Sequence, residues 1–240
     1  MRDWPPDDDS GQESTETVLS DHSEVRYRTL SVLEDFVDVV GERQATAHLK
    51  GVVSDGKYLK GKHLGQAPER FIEEHLIFPL LETLGHEIRP QPVQYAPRWP
   101  SGGRPDFAVT TLPPAKAKDR GIRVFGEAKP INKIHYARDD VAEYLAGDQD
   151  FDAVVFLCDG LTLECWVRHR NEPIDDDDDP AARAELGRAL ERVQRRNFQH
   201  EEYSAHQARS RIPEAELSKF NADGLWSLLE DEFGNSFGSV

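Results

Sequence analysis

The 240-residue chain has two cysteines and one methionine. Cys158 and Cys165 fall in one apparent hairpin and have no His or Cys partner at ligand spacing. They make a poor zinc site and read as small buried hydrophobes rather than a disulfide. No apolar run approaches the ~20 residues that span a bilayer. The opening stretch, Met1-Arg2-Asp3-Trp4-Pro5-Pro6 followed by three aspartates, lacks the basic start and apolar stretch of a secretory leader. The expectation is a soluble, cytoplasmic protein with no membrane partner. No GxxxxGK[ST] motif is present, so the chain carries no nucleotide-driven motor of that type. Ser101-Gly102-Gly103 is a turn with no helix behind it and no phosphate loop. His63, His75, His86 and His135 do not stand at ligand spacing.

Basic charge is also scarce. Twenty-nine Lys and Arg face 45 Asp and Glu, a formal net charge of −16. A DNA-binding protein needs Lys and Arg for phosphate, so this balance argues against nucleic acid if taken alone. The acid, however, is spread along the whole chain, and Arg outnumbers Lys. That pattern suits the surface of a halophilic protein in a salt-filled cytoplasm, where screening shrinks to a few Å. The charge then reports habitat more than partner.

The chain divides by pattern. Residues 1–24 are polar and acidic and read as a disordered tail. Within 25–63, apolar residues from Tyr27 to Val40 recur at helical spacing, with Gly41 as the stop. Residues 51–66, holding Lys57, Lys60 and Lys62, read as a basic loop. Pro68 opens a helix whose stripe is Phe71, Ile72, Leu76, Leu80, Leu81 and Leu84. Pro79 inside it predicts a kink or a split. Residues 86–98 read as extended. Strands follow at 107–112 and 122–128, then a helix over 139–146. A hairpin, 153–158 and 161–167, turns at Asp159-Gly160. Residues 171–240 read as an acidic linker, a long helix over 180–209 and a final helix over 224–233. The order predicts an α/β core between residues 64 and 170, with extra N- and C-terminal helices.

Chemistry concentrates in Gly103-Arg104-Pro105-Asp106-Phe107 and Gly126-Glu127-Ala128-Lys129-Pro130. Residues two apart in a strand share a face, so Glu127 and Lys129 point the same way. Pro130 cannot continue a central strand, which puts the pair at a strand end. A symmetric hairpin centred between Lys116 and Ala117 sets Asp106 directly opposite Glu127. Opposed carboxylates repel unless a cation lies between them. Mg²⁺ accepts such a pair, with water completing its shell, and a nearby lysine can hold the attacking water. Lys116, Lys118, Arg120, Arg123, Lys133, His135 and Arg138 form a candidate backbone-contacting patch.

With those motifs in place, residues 69–167 resemble the nuclease domain of the PD-(D/E)xK superfamily. They are most like the N-terminal nuclease domain of type I restriction-enzyme motor subunits. The resemblance is carried by PERFIEEHLIFPLLETLG, GRPDFAV, VFGEAKP and DAVVFLCDGLTLECWV. It implies a restriction-endonuclease-like core, a mixed central sheet flanked by helices, and Mg²⁺- or Mn²⁺-dependent hydrolysis of DNA phosphodiesters. It implies Asp106 and Glu127 as metal ligands and Lys129 as the catalytic lysine. It adds an acidic residue from the preceding helix. Glu69 fits best as a further ligand, and Glu73 lies one turn on along nearly the same face. Type I domains often place a Gln four residues before a Tyr in the helix after the catalytic strand. Here Tyr144 is present, with Asp140 at the Gln position.

The expected role is an endonuclease of restriction or defence, acting on DNA as a homodimer or beside a separate motor or methyltransferase subunit. The alternatives are a repair or structure-specific nuclease, and a non-catalytic nucleic-acid- or protein-binding module on the same fold. The halophile reading generates a direct prediction. At 0.01 M salt screening extends to ~30 Å, so the acidic surface repels itself most strongly there. The melting temperature, followed by circular dichroism, is expected to climb from dilute buffer to molar KCl. A midpoint indifferent to salt contradicts it.

Overall fold

The computed structural model describes residues 13–91, 104–111, 121–145, 150–172, 179–197 and 203–234, with side chains from residue 24 onward. Its centre is a six-stranded sheet in sequential order: β1 (Ile88–Pro90), β2 (Phe107–Val109), β3 (Ile122–Ala128), β4 (Asp152–Cys158), β5 (Thr162–Arg168) and β6 (Ala182–Glu185). Only β3 and β4 are parallel; every other neighbour pair is antiparallel. A parallel pair needs a crossover, and the helix Ile134–Leu145 supplies it. The fold is therefore α/β, with a mixed sheet flanked by helices.

The two sheet faces can be read from β4. Val154, Phe156 and Cys158 enter one apolar cluster, with the N- and C-terminal helices. Ala153, Val155 and Leu157 enter the other, under Ala137, Val141 and Leu145 of the crossover helix. This is period-two alternation in a strand buried on both faces. Both cysteines are free and buried, as small hydrophobes would be.

The N-terminal helix α1 runs Glu13–Glu42 and presents Leu30, Leu33, Phe36, Val37 and Val40 to the core. It starts inside the stretch expected as a tail and passes through Gly41. The chain turns instead at Gln44, whose φ is 56°. Residues 51–66 are not simply a loop. They hold the end of α2 (Thr46–Asp55) and a single turn, α3 (Gly61–Leu64), each closed by a left-handed glycine, Gly56 and Gly65. Four glycines in this stretch masked the helical pattern.

The helix after Pro68 has three parts: α4 (Pro68–Ile72), a π-helical turn (Glu73–Ile77) and α5 (Phe78–Thr83). The Phe78 N–H donates to the Glu73 carbonyl, five residues back. Pro79 explains the wide turn. It has no N–H to offer His75, and its ring would crowd that carbonyl in regular α geometry. The expected break is thus a bulge within one continuous helix.

The crossover helix, α6 (Ile134–Leu145), begins five residues earlier than expected. The long helix expected over 180–209 is a correction. Ala182–Glu185 is strand β6, followed by α7 (Gly187–Gln194) and a 3₁₀ turn. Ala182 and Ala184 are buried, whereas Arg183 and Glu185 are exposed, an alternation too short to stand out among good helix formers. Three short C-terminal helices complete the chain: α8 (Ala205–Arg209), α9 (Glu214–Leu217) and α10 (Ala222–Phe233). Ala208, Leu217, Leu225 and Leu229 join the same core as α1, so these helices belong to it rather than trail from a linker. The strand expected over 107–112 ends at Val109, short of Thr110 and Thr111. Leu112, the turn 101–103 and all of the acidic run 175–179 but Asp179 lie outside the described residues.

Of the described glycines, Gly126 leaves the least room for a side chain. It pairs with Phe107 across β2 and β3, and a Cβ there would come within 2.0 Å of the Phe107 ring. Overfilling a packed core costs about 1–3 kcal/mol. Gly126→Ala is expected to lose that much in urea denaturation; an unchanged midpoint contradicts the packing described.

Candidate metal centre

The β2–β3 register sets the site. Phe107 faces Gly126 and Ala108 faces Phe125, so continuing the ladder by one residue puts Asp106 opposite Glu127, as loop symmetry predicts. Asp106 is not itself paired as a strand residue. Its Oδ2 accepts the Ala128 N–H at 2.8 Å, which ties its carboxylate to the end of β3. The Lys129 N–H donates to the Cys158 carbonyl at 2.9 Å, so β4 fixes the backbone there too.

The helix after Pro68 reaches the same end of the sheet. Gly160, in the β4–β5 turn, has φ 84° and lies against Ile72 and Leu76; a Cβ would meet Leu76 Cδ2 at 2.7 Å. This close approach brings the start of the helix to Asp106. One carboxylate oxygen each from Glu69, Glu73 and Asp106 lie within 4.8 Å of one another. Both helix glutamates therefore join the cluster. They stand one turn apart, and Glu73, the more buried, is steadied by Arg70 Nη1 at 2.9 Å.

Glu127 is not one of these three; it lies beside Asp106 and is 2% exposed. Its Oε1 accepts Lys129 Nζ at 2.7 Å and the Tyr144 hydroxyl at 3.4 Å. Its Oε2 is buried and receives no hydrogen bond from the described residues. Lys129 Nζ also donates to Asp140 Oδ2 at 2.8 Å. Asp140 and Tyr144 thus both touch the centre from α6, although only the helical spacing of four hinted at it.

The electrostatics are those of a crowded, half-dry acidic site. Burial, reinforced by Asp106, pushes Glu127 up to about 8. Burial and Asp106 likewise push Glu73 up to about 7, against the pull of Arg70. Burial raises Glu69 and Asp106 above the usual carboxylate range, opposed by Lys129 at the first and by the Ala128 N–H at the second. Burial alone would lower Lys129, but Glu127, Asp140 and Asp106 outweigh it and hold the ammonium above its normal range. Buried unpaired charge is costly. A divalent cation is the counter-charge such a donor set fits: hard carboxylate oxygens, one of them buried and without a donor.

The remaining predicted positions scatter. Lys116, Lys118 and Arg120 lie outside the described residues. Arg123 donates to its neighbour's carbonyl, Ile122 O. Arg138 pairs with buried Glu164, which Trp166 Nε1 also serves. Lys133 stays beside the centre, in a cavity that Lys129 also lines. Among the histidines, His86 is buried between Thr111 and the Phe220 carbonyl, and His63 stacks on His48. Among the described helices, none is long and apolar enough to cross a membrane. Set against protein-family models, curated proteins and solved structures, the chain finds no match in any of the three.

Proposed function

We propose that this protein is a metal-dependent endonuclease that hydrolyses DNA phosphodiester bonds, on a restriction-endonuclease-like core of the PD-(D/E)xK type. The observation that carries the reading is the meeting of Glu69, Glu73 and Asp106 within 4.8 Å, beside a buried Glu127 whose Oε2 has no donor and whose Oε1 holds Lys129. A scaffold that only binds has no physical need to crowd carboxylates at a strand end, since each costs desolvation and repulsion.

Asp106, Glu127, Glu69 and Glu73 would hold Mg²⁺ or Mn²⁺. A cation of this kind supplies a polarised phosphate and a water acidified toward hydroxide. The chain's own residues do the rest. Lys129 has three N–H donors; Glu127 and Asp140 take two, leaving one for a water or a phosphate oxygen. Because both partners are themselves fixed, by β3 and by α6, the ammonium is aimed in advance, which is where electrostatic catalysis gains most. Tyr144 and Lys129 together orient the Glu127 carboxylate.

Plasmid relaxation with Mg²⁺ or Mn²⁺, at several KCl concentrations, tests the activity. Asp106→Ala, Glu127→Ala and Lys129→Ala are each expected to lower the rate about 100-fold or more. Glu69→Ala and Glu73→Ala are expected to cost less, about 10–100-fold. The Asp106 and Glu127 variants should also weaken Mn²⁺ binding in calorimetry. A wild-type protein that cuts nothing with either metal, or two carboxylate variants with unaltered Mn²⁺ affinity, would sink the assignment.

The raised carboxyl groups predict a pH dependence of stability. Unfolded glutamates lose their protons near pH 4.5, whereas Glu73 and Glu127 hold theirs in the fold up to about 7 and about 8. Between those limits the native state binds more protons than the unfolded state, so these groups make stability fall as pH rises. A bound cation replaces the protons and cancels the loss. The rise in melting temperature on adding Mn²⁺ should therefore be larger at pH 8 than at pH 5.5; equal shifts at the two values count against it.

A further inference from the structure

Next to the acidic centre lies a cavity of about 490 Å³, open to solvent and mostly apolar, lined by Tyr58, Lys60, Pro68, Pro130, Lys133 and Tyr136, with Glu69 and Lys129 at its border with the centre. Tyr58 and Tyr136 are two of the three large hydrophobics exposed among the described residues, at 49% and 48%. Lys133 Nζ stands 5.2 Å from the Tyr58 ring centroid and 5.0 Å from that of Tyr136. Lys60 Nζ lies 5.9 Å from the Tyr58 ring. Two half-exposed aromatic rings therefore share a space with two ammonium groups.

The arrangement is held by the fold rather than left to chance. Asn132, at φ 65°, donates its side-chain N–H groups to the Val52 carbonyl at 2.9 Å and the Lys57 carbonyl at 2.6 Å. This clamps the segment bearing Tyr58 and Lys60 onto the segment that leaves β3. Buried Asp159 accepts the Lys133 N–H at 3.2 Å, and α6 carries Tyr136 from its first turn. Elements distant in sequence thus meet at one pocket, on the doorstep of the carboxylates.

We propose that this cavity is a stacking seat for an unpaired nucleotide of a DNA strand, which the tyrosines hold by its base and Lys60 and Lys133 by its flanking phosphates. The inference rests on the nuclease reading and narrows its substrate to DNA with single-stranded character at the cut. Aromatic platforms interleaved with cations are the physical means of gripping single strands without reading sequence. A duplex cannot use them, because its base faces are covered by their neighbours. Stacking also suits a chain with a net charge of −16. Phosphate contacts weaken steeply as salt rises, whereas stacking against a ring does not depend on counterion release. The cavity lies within the range of pockets that enclose small ligands.

Fluorescence anisotropy of labelled dT15 against a closed dumbbell duplex, with the full chain in EDTA so that nothing is cut, tests the seat. Tyr58→Ala and Tyr136→Ala are each expected to weaken dT15 binding about tenfold and to change dumbbell binding less than twofold. Tyr58→Phe and Tyr136→Phe, which keep the ring, should retain most of the affinity. Unchanged dT15 binding by the double alanine variant overturns the inference, as do equal losses on dT15 and dumbbell; neither result touches the plasmid assay. Tyrosine-dependent dT15 binding by a protein that, given Mg²⁺ or Mn²⁺, cuts neither plasmid nor dT15 upholds the seat and overturns the nuclease reading alone.

Discussion

Negative charge held out of water at the end of β3 is the constraint to which the surrounding structure answers. Glu69, Glu73, Asp106, Glu127 and Asp140 converge there, and among the described residues Lys129 and Arg70 are the cations that pair with them. Repulsion between close carboxylates in a partly desolvated place is strong, so the protein holds them by force of packing. The Ala128 N–H grips Asp106, Arg70 grips Glu73, and Lys129 bridges Glu127 to Asp140. Even so Glu127 and Glu73 retain their protons well above the usual range. The fold carries an imbalance of charge that protons answer in part.

Three packing arrangements bring Glu69, Glu73, Asp106, Glu127 and Lys129 together. The β2–β3 pairing delivers Asp106 and Glu127, the parallel β3–β4 ladder fixes the backbone at Lys129, and the helix after Pro68 delivers the two glutamates. The last depends on the missing side chain of Gly160, which lets Ile72 and Leu76 close onto the β4–β5 turn. The geometry of the acidic centre is thus a by-product of core packing. A change that loosens the hydrophobic contact between helix and turn would also separate the carboxylates.

Much of this was legible in the sequence, and the reason is that periodicity and symmetry are local. The Asp106–Glu127 register follows from counting residues about a loop midpoint, and the observed pairs Phe107–Gly126 and Ala108–Phe125 obey the same count. The shared face of Glu127 and Lys129 follows from the pleat. What was hidden depended on distant partners. β6 is four residues of Ala, Arg and Glu, which favour helix until β5 offers an edge to pair with. The pairing of Arg138 with Glu164 was hidden too, because nothing near Arg138 in sequence announces that partner. Both Glu69 and Glu73 belong to the cluster, a point spacing alone cannot decide, because one turn of helix separates them and the approach of a third element selects the face.

The π-helical turn in the helix after Pro68 has a consequence for how two demands on one element are reconciled. A π turn holds one residue more than the α-helical ladder needs, and one residue of α-helix is worth about 100° of rotation. Everything before the bulge is therefore swivelled against everything after it. Upstream lies the acidic pair's first member, Glu69, which must look toward Asp106. Downstream lie Leu80 and Leu81, which must look into the core. In a regular helix those two bearings would be locked together by the repeat. The extra residue uncouples them, so the oily keel and the charged prow of the same helix can each be set to its own heading.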